Sequence, residues 1–264
     1  MKIFYFTATG NSLAVAKRIG GEGSELISIA QVLKLQGHPS YEGDAIGVIF
    51  PTYGCSVPRI VEKFLQKTTF RADYLFAVQT YGANRGTACR DLQRLMEGKP
   101  KRFDYIGGVL MLDNCQPQFD IAKQREGLPK KDVEGQMVRL KKDISERRRF
   151  IPKNNLTDKL LRWVSKTFFS YFEKPDFAER NFGVNEEECI LCGTCAKVCP
   201  AANVIIGAHV TFADHCANCQ ACVHACPKHA IHTRGERNTE RWRNPEVKLV
   251  EIIRANNQNQ EKHS

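Results

Sequence analysis

Two cysteine runs in the C-terminal half of the chain share one spacing. Cys189, Cys192, Cys195 and Cys199 precede Pro200, and Cys216, Cys219, Cys222 and Cys226 precede Pro227. Both runs read C-x2-C-x2-C-x3-C-P. Three thiolates at i, i+3 and i+6 can wrap one face of a cubane [4Fe–4S] cluster. The fourth lies too close in sequence to complete the same cube, so it crosses to the neighbouring one. The spacing assigns Cys189, Cys192, Cys195 and Cys226 to a first cluster. It assigns Cys216, Cys219, Cys222 and Cys199 to a second. Zinc is the other metal reading, but structural zinc uses two separated C-x2-C pairs rather than triple runs. Any fold for this chain must build a small unit around two cubes.

That unit repeats itself. From Phe182 to about Arg234 the period is 27, with Cys189 aligned to Cys216 and Pro200 to Pro227. Each half is expected to supply short strands and one short helix, with a hairpin over Ile205–Phe212. Small residues such as Gly193, Thr194, Ala196 and Ala221 let backbone amides approach the sulfurs, and such bonds tune potential. Five histidines fall here: His209, His215, His224, His229 and His232. None is assigned as a ligand, and most are expected at the surface.

The N-terminal half reads differently. Apolar Lys2–Phe6 is expected as a buried strand, followed by Thr7-Ala8-Thr9-Gly10-Asn11-Ser12 and a helix from Leu13 to about Ile19. A strand, a hydroxyl-rich loop and a helix N-terminus form an anion site, because backbone N–H groups and the helix dipole point at a phosphate. The loop is neither a Walker loop nor a G-x-G-x-x-G fingerprint. Further strands are expected at Glu25–Ile29, Ala45–Phe50, Asp73–Gln79 and Ile106–Leu112. Helices are expected from about Arg59, over Thr87–Met96 and over Lys130–Arg149. Such alternation implies a doubly wound parallel sheet, whose ligands sit beyond the carboxyl ends of the strands. Pro51-Thr52-Tyr53-Gly54 and Thr80-Tyr81-Gly82-Ala83-Asn84 follow two of these strands, and Tyr53 and Tyr81 are the candidate stacking rings. Cys55 and Cys115 also lie past strand ends. Each is read as a small filler, with approach to the same crevice the alternative.

The chain has 264 residues and a net charge of +10. A basic surface would steer an acidic redox partner; no nucleic-acid motif accompanies it. No apolar run approaches the ~18 residues of a membrane span. The N-terminus reads as a strand rather than a signal peptide, so a cytoplasmic protein is expected. Leu156–Phe172 reads as an amphipathic, aromatic-rich helix between the halves, and Ala255–Ser264 as a polar, disordered tail.

The T-x-T-G-N-S loop resembles the FMN-phosphate loop of flavodoxins. Together with the cysteine runs and Arg241-Trp242-Arg243-Asn244-Pro245, the chain resembles the flavodoxin–ferredoxin fusion proteins of anaerobic bacteria. The resemblance implies an α/β flavodoxin-like five-stranded sheet over 1–150 and a helical linker over 151–181. It further implies an α+β dicluster ferredoxin unit over 182–236 and a C-terminal segment over 237–264. The implied cofactors are FMN and two [4Fe–4S] clusters. FMN would be held by Thr7, Ala8, Thr9, Gly10, Asn11, Ser12, Pro51, Thr52, Tyr53, Gly54, Thr80, Tyr81, Gly82 and Asn84. Three functions stay open: electron transfer between clusters and FMN, a flavin-dependent reductase acting on a small substrate, and a redox-sensing docking module.

Overall fold

The structure, a computed structural model, describes residues 1–153 and 176–258. The expected helix over Leu156–Phe172 lies outside the described residues, as does most of the expected linker. Five strands form one parallel sheet in the order β2-β1-β3-β4-β5: β1 Lys2–Tyr5, β2 Glu25–Ser28, β3 Ser40–Pro51, β4 Thr69–Tyr81 and β5 Tyr105–Leu110. This is the flavodoxin-like α/β arrangement expected from the sequence. Strands β3 and β4 are longer than their apolar runs, because polar Ser40–Gly43 pairs in register with Thr69–Ala72. Hydrophobicity marks only the half of each strand that is covered on both faces.

Each sheet face buries its own core. Helix α1 (Asn11–Gly20) and a helix over Val133–Ser145 pack Leu13, Val15, Met137 and Leu140 against Ile3, Ile49 and Val78 on one face. Helices over Arg59–Lys67 and Ala88–Leu95 pack Val61, Phe64, Leu65 and Leu92 against Phe4, Val48 and Phe50 on the other. The helix expected over Lys130–Arg149 starts only at Val133. Asp132 takes a left-handed conformation (φ 46°) and caps it by accepting from the Gly135 N–H, while Leu128–Lys131 forms a separate 3-10 turn. Its basic side is paired within the chain: Arg147 with Asp44, Arg148 with Asp143, and Arg139 with Asp132.

The C-terminal unit follows with two short antiparallel pairs, Phe182–Val184 with Ile231–Thr233 and Val204–Ile206 with Val210–Phe212. The second pair is the expected hairpin. The chain then returns to the first unit. Leu249–Asn256 is helical, and Ile252, Ala255, Asn256 and Asn257 are buried, so the expectation of a disordered tail from Ala255 is wrong for these residues. Their polar groups are spent on the sheet domain. The Ser28 hydroxyl donates to the Ala255 carbonyl at 2.6 Å, and Gln31 and Lys34 donate to the Asn257 carbonyl. No helix among the described residues is long and apolar enough to cross a membrane.

Candidate functional site

The N-terminus of α1 opens on a cavity of about 700 Å³ at the carboxyl ends of β1, β3 and β4. Sheet order reverses between β1 and β3, which is where doubly wound folds place ligands. Gly10 (φ 102°) caps α1 without a side-chain acceptor, so the first N–H groups keep their positive field toward the cavity. Three buried hydroxyls surround this end. Thr7 Oγ1 accepts from the Gly10 N–H at 3.1 Å, and Thr9 Oγ1 accepts from Asn114 Nδ2. Both therefore keep their own hydrogens for an acceptor in the cavity. Ser12 shares a hydrogen bond with Thr80 at 2.9 Å.

All the residues named for FMN line this cavity except Gly10. Gly10 is needed elsewhere: a Cβ there would stand 3.0 Å from the Cβ atoms of Asn244 and Val247, so its bareness admits the C-terminal segment. Cys55 and Cys115 both line the cavity, whereas Cys89 is buried in the core. The loops after β4 and β5 are pressed together. A Cβ on Gly82 would fall 2.1 Å from that of Asp113, and Lys131 donates to the carbonyls of both Gly82 and Met111. Burial raises the carboxyl pKa of Asp113 and pushes the Cys115 thiol up to about 12.

The eight motif cysteines ring two separate cavities. Cys189, Cys192, Cys195 and Cys226 surround one, and Cys199, Cys216, Cys219 and Cys222 surround the other. This is the crossed assignment. No three Cys, His, Asp or Glu side chains among the described residues converge to hold a single ion. The repeat is visible in the backbone at the same period of 27. Leu191 and Asn218, Gly193 and Gln220, and Ala202 and His229 are three matched pairs, all with positive φ. Matched amides also approach matched sulfurs: Asn203 N–H to Cys199 Sγ at 3.2 Å, and Ala230 N–H to Cys226 Sγ at 3.3 Å.

The two quartets differ in exposure. Cys192 is exposed, and the Thr194 hydroxyl lowers its thiol pKa. Cys216 is pushed by burial to about 11, and burial raises Cys219 and Cys222 further. Such thiols bind metal as thiolates, so metal uptake would displace their protons to solvent. Cys219 has two aspects: it lines the second quartet's cavity and the large crevice.

Residues to which sequence reading assigns no docking role hold the units together. His224 is buried, unlike most of its neighbours in kind, and burial lowers its pKa to about 4. The neutral ring donates from Nε2 to the Asn114 carbonyl at 2.8 Å and accepts at Nδ1 from the Trp242 N–H at 3.1 Å. Trp242 Nε1 and Asn244 Nδ2 donate to Asn11 Oδ1, and the Asn244 N–H donates to the Thr9 carbonyl at 2.8 Å. The only hint in the sequence was the Arg241–Pro245 segment. His224→Ala leaves the part-buried Asn114 carbonyl and the buried Trp242 N–H without this partner. It is expected to destabilise the metal-loaded chain by about 2–5 kcal/mol in denaturant titrations; an unchanged midpoint would refute this account of His224.

Comparison with known proteins bears on the C-terminal unit. The domain family described as "4Fe-4S dicluster domain" matches residues 182–227. A polyferredoxin protein, MvhB of Methanothermus fervidus, is 39% identical over 49 residues, which is 18% of this chain and 12% of that one. The chain thus spans only a small part of that relative's length. The ring geometry of the two quartets and this match agree: the chain carries a 4Fe-4S dicluster domain over residues 182–227, which supports an iron–sulfur electron-transfer role.

Proposed function

We propose that the chain is an iron–sulfur flavoprotein of the flavodoxin–ferredoxin fusion type, moving single electrons between two [4Fe–4S] clusters and FMN. The observation that carries this reading is the double position of Cys219, which lines both the crevice and the cavity ringed by the second quartet. In this reading residues 1–150 hold the flavin, 182–236 hold the clusters, and the rest joins them. FMN, when bound, supplies a two-electron store that can fill in single-electron steps.

The chain's own residues do the rest. The α1 N-terminus with the Thr7, Thr9 and Ser12 hydroxyls holds the phosphate. The loops carrying Tyr53 and Tyr81 flank the ring. In this reading exposed Cys192 turns the first cluster toward solvent and a redox partner, while the second quartet borders the crevice through Cys219. Water is kept from the second cluster by Phe182, Val204 and Phe212, which raises the electrostatic weight of every nearby dipole. Replacing Thr9 with Val and Ser12 with Ala together is expected to weaken FMN binding at least tenfold, since each lost hydrogen bond to a charged group is worth about 1.5–3 kcal/mol. Equilibrium dialysis against FMN measures this, and unchanged affinity would move the phosphate elsewhere.

A second reading, reduction of a small substrate at the flavin, has one observation in its favour. The cavity extends past the loops to Phe119, Phe177 and Arg234. A screen of acceptors for anaerobic turnover separates the two readings.

A further inference from the structure

The crevice has walls from both units. The Thr7–Ser12 and tyrosine loops come from the sheet, and Phe182, Asn218, Thr233 and Arg234 come from the cluster unit. Among the described residues that line it, only Asp113 and Arg234 carry charged side chains. Asp113 is answered within the chain by the Lys131 charge and by the Cys115 N–H. Arg234 is not. Its exposed guanidinium makes no hydrogen bond or ion pair with the described residues. The nearest acid in sequence, Glu236, is taken by His232 at 2.7 Å and by Arg241 at 3.5 Å. The backbone that carries Arg234 is nevertheless fixed. Thr233 pairs with Phe182 across the short sheet. The Arg234 N–H donates to the Asn181 carbonyl at 2.7 Å, and the Glu236 N–H closes the turn on the Thr233 carbonyl at 3.1 Å. Gly235 supplies the left-handed residue of that turn (φ 75°).

We propose that Arg234 anchors a second ligand of the crevice, a small organic monocarboxylate whose apolar body lies against Phe119 and Phe182. The charges decide the number of ligands. The α1 N-terminus and its hydroxyls answer one anion, and FMN carries one phosphate. Arg234 stands on the other unit and is left over. The chemistry decides the class. A planar guanidinium fork matches a carboxylate in two parallel bonds, and one fixed positive charge suits a monoanion. Half-buried Phe119 and buried Phe182 line the same space, so the rest of the ligand is apolar. The inference deepens the reading of small-substrate reduction at the flavin and rests on it.

The test titrates the full chain, loaded with iron–sulfur clusters and FMN, with benzoate, benzamide and acetate. Calorimetry and the flavin absorption spectrum are followed together. Benzoate is expected to bind once per chain and to perturb the flavin spectrum. Benzamide lacks the charge and acetate lacks the apolar body, and both are expected to bind more weakly. Arg234→Gln should weaken benzoate at least about tenfold, the worth of one hydrogen bond between charged groups, with FMN affinity and iron content held. Arg237→Gln removes the same charge three residues on, at a position that does not line the crevice, and should match the unaltered chain. Absence of benzoate binding, or equal binding by Arg234→Gln, would overturn the proposal. So would acetate binding as tightly as benzoate, which makes Arg234 a bare ion site. A fall in FMN affinity in Arg234→Gln would overturn it too, by placing the guanidinium on the flavin. A chain that takes up no FMN overturns the flavoprotein reading itself, and the second ligand with it.

Discussion

Cys222→Ala is expected to reduce the iron bound by the reconstituted chain from about eight atoms to about four, and to cut electron delivery into the crevice to the level of a cluster-free chain. The reason lies in where the ligands stand. Cys222 belongs to the second quartet, is buried, and does not line the crevice. Its loss removes the cube next to Cys219 and leaves the Thr7–Ser12 loop and the tyrosine loops in place. Flavin content should therefore stay near that of the unaltered chain, while reduction of bound flavin by a low-potential donor slows. Cys192→Ala makes the opposite cut: it removes the solvent-facing cube and leaves the cube at the crevice. A chemical donor small enough to reach the second cube should still reduce the flavin there, whereas a protein donor should not. Stopped-flow absorbance with both donors distinguishes the variants. If Cys222→Ala passes electrons as fast as the unaltered chain, the second cluster is not the one wired to the crevice.

Which cysteine quartet borders the crevice was not legible in the sequence, although the grouping into two quartets was. Spacing alone paired Cys199 with Cys216, Cys219 and Cys222, because four ligands of one cube must surround it and the fourth cysteine of each run cannot. Spacing says nothing about which cube faces water, since that depends on how the unit docks. The sheet was readable for a related reason. Runs such as Ala45–Phe50 are apolar because both faces of the sheet are covered, and the Gly- and Thr-rich loops follow them directly. Polar extensions such as Ser40–Gly43 carry no such mark, and their pairing with Thr69–Ala72 shows only in three dimensions. The docking residues were hidden most thoroughly. His224, Asn244 and Asn256 each act through a pair of hydrogen bonds, most of them to groups more than a hundred positions away. A polar residue near a chain end reads as a tail, because nothing local reports its distant partner.

Deleting the chain after Lys248 is expected to remove on the order of 5–8 kcal/mol of stability, comparable to the whole of a typical domain's margin. The removed helix buries Ile252, worth about 2–3 kcal/mol on transfer from water. It also carries Asn256, whose Nδ2 donates to the Thr7 carbonyl at 2.9 Å and to the Val198 carbonyl at 3.2 Å. Both carbonyls would lose that partner, at about 1–3 kcal/mol each. The Ser28, Gln31 and Lys34 donors would lose their acceptors as well. The exposed Lys17–Glu251 ion pair adds little. The consequence reaches both candidate sites, because one carboxamide touches the Thr7–Ser12 loop at Thr7 and the residue before Cys199. Asn256→Ala isolates that point. It should cost about 2–4 kcal/mol in urea unfolding, weaken flavin binding through a looser Thr7 loop, and speed loss of iron from the second cluster to a chelator while the first is held. Replacement of the Ile252 side chain by Ala lowers stability without choosing between the two sites. If Asn256→Ala behaves like Ile252→Ala, with stability lost but flavin affinity and the two rates of iron loss unchanged relative to one another, the returning helix is packing alone and the coupling of the two sites runs only through the wall at Cys219.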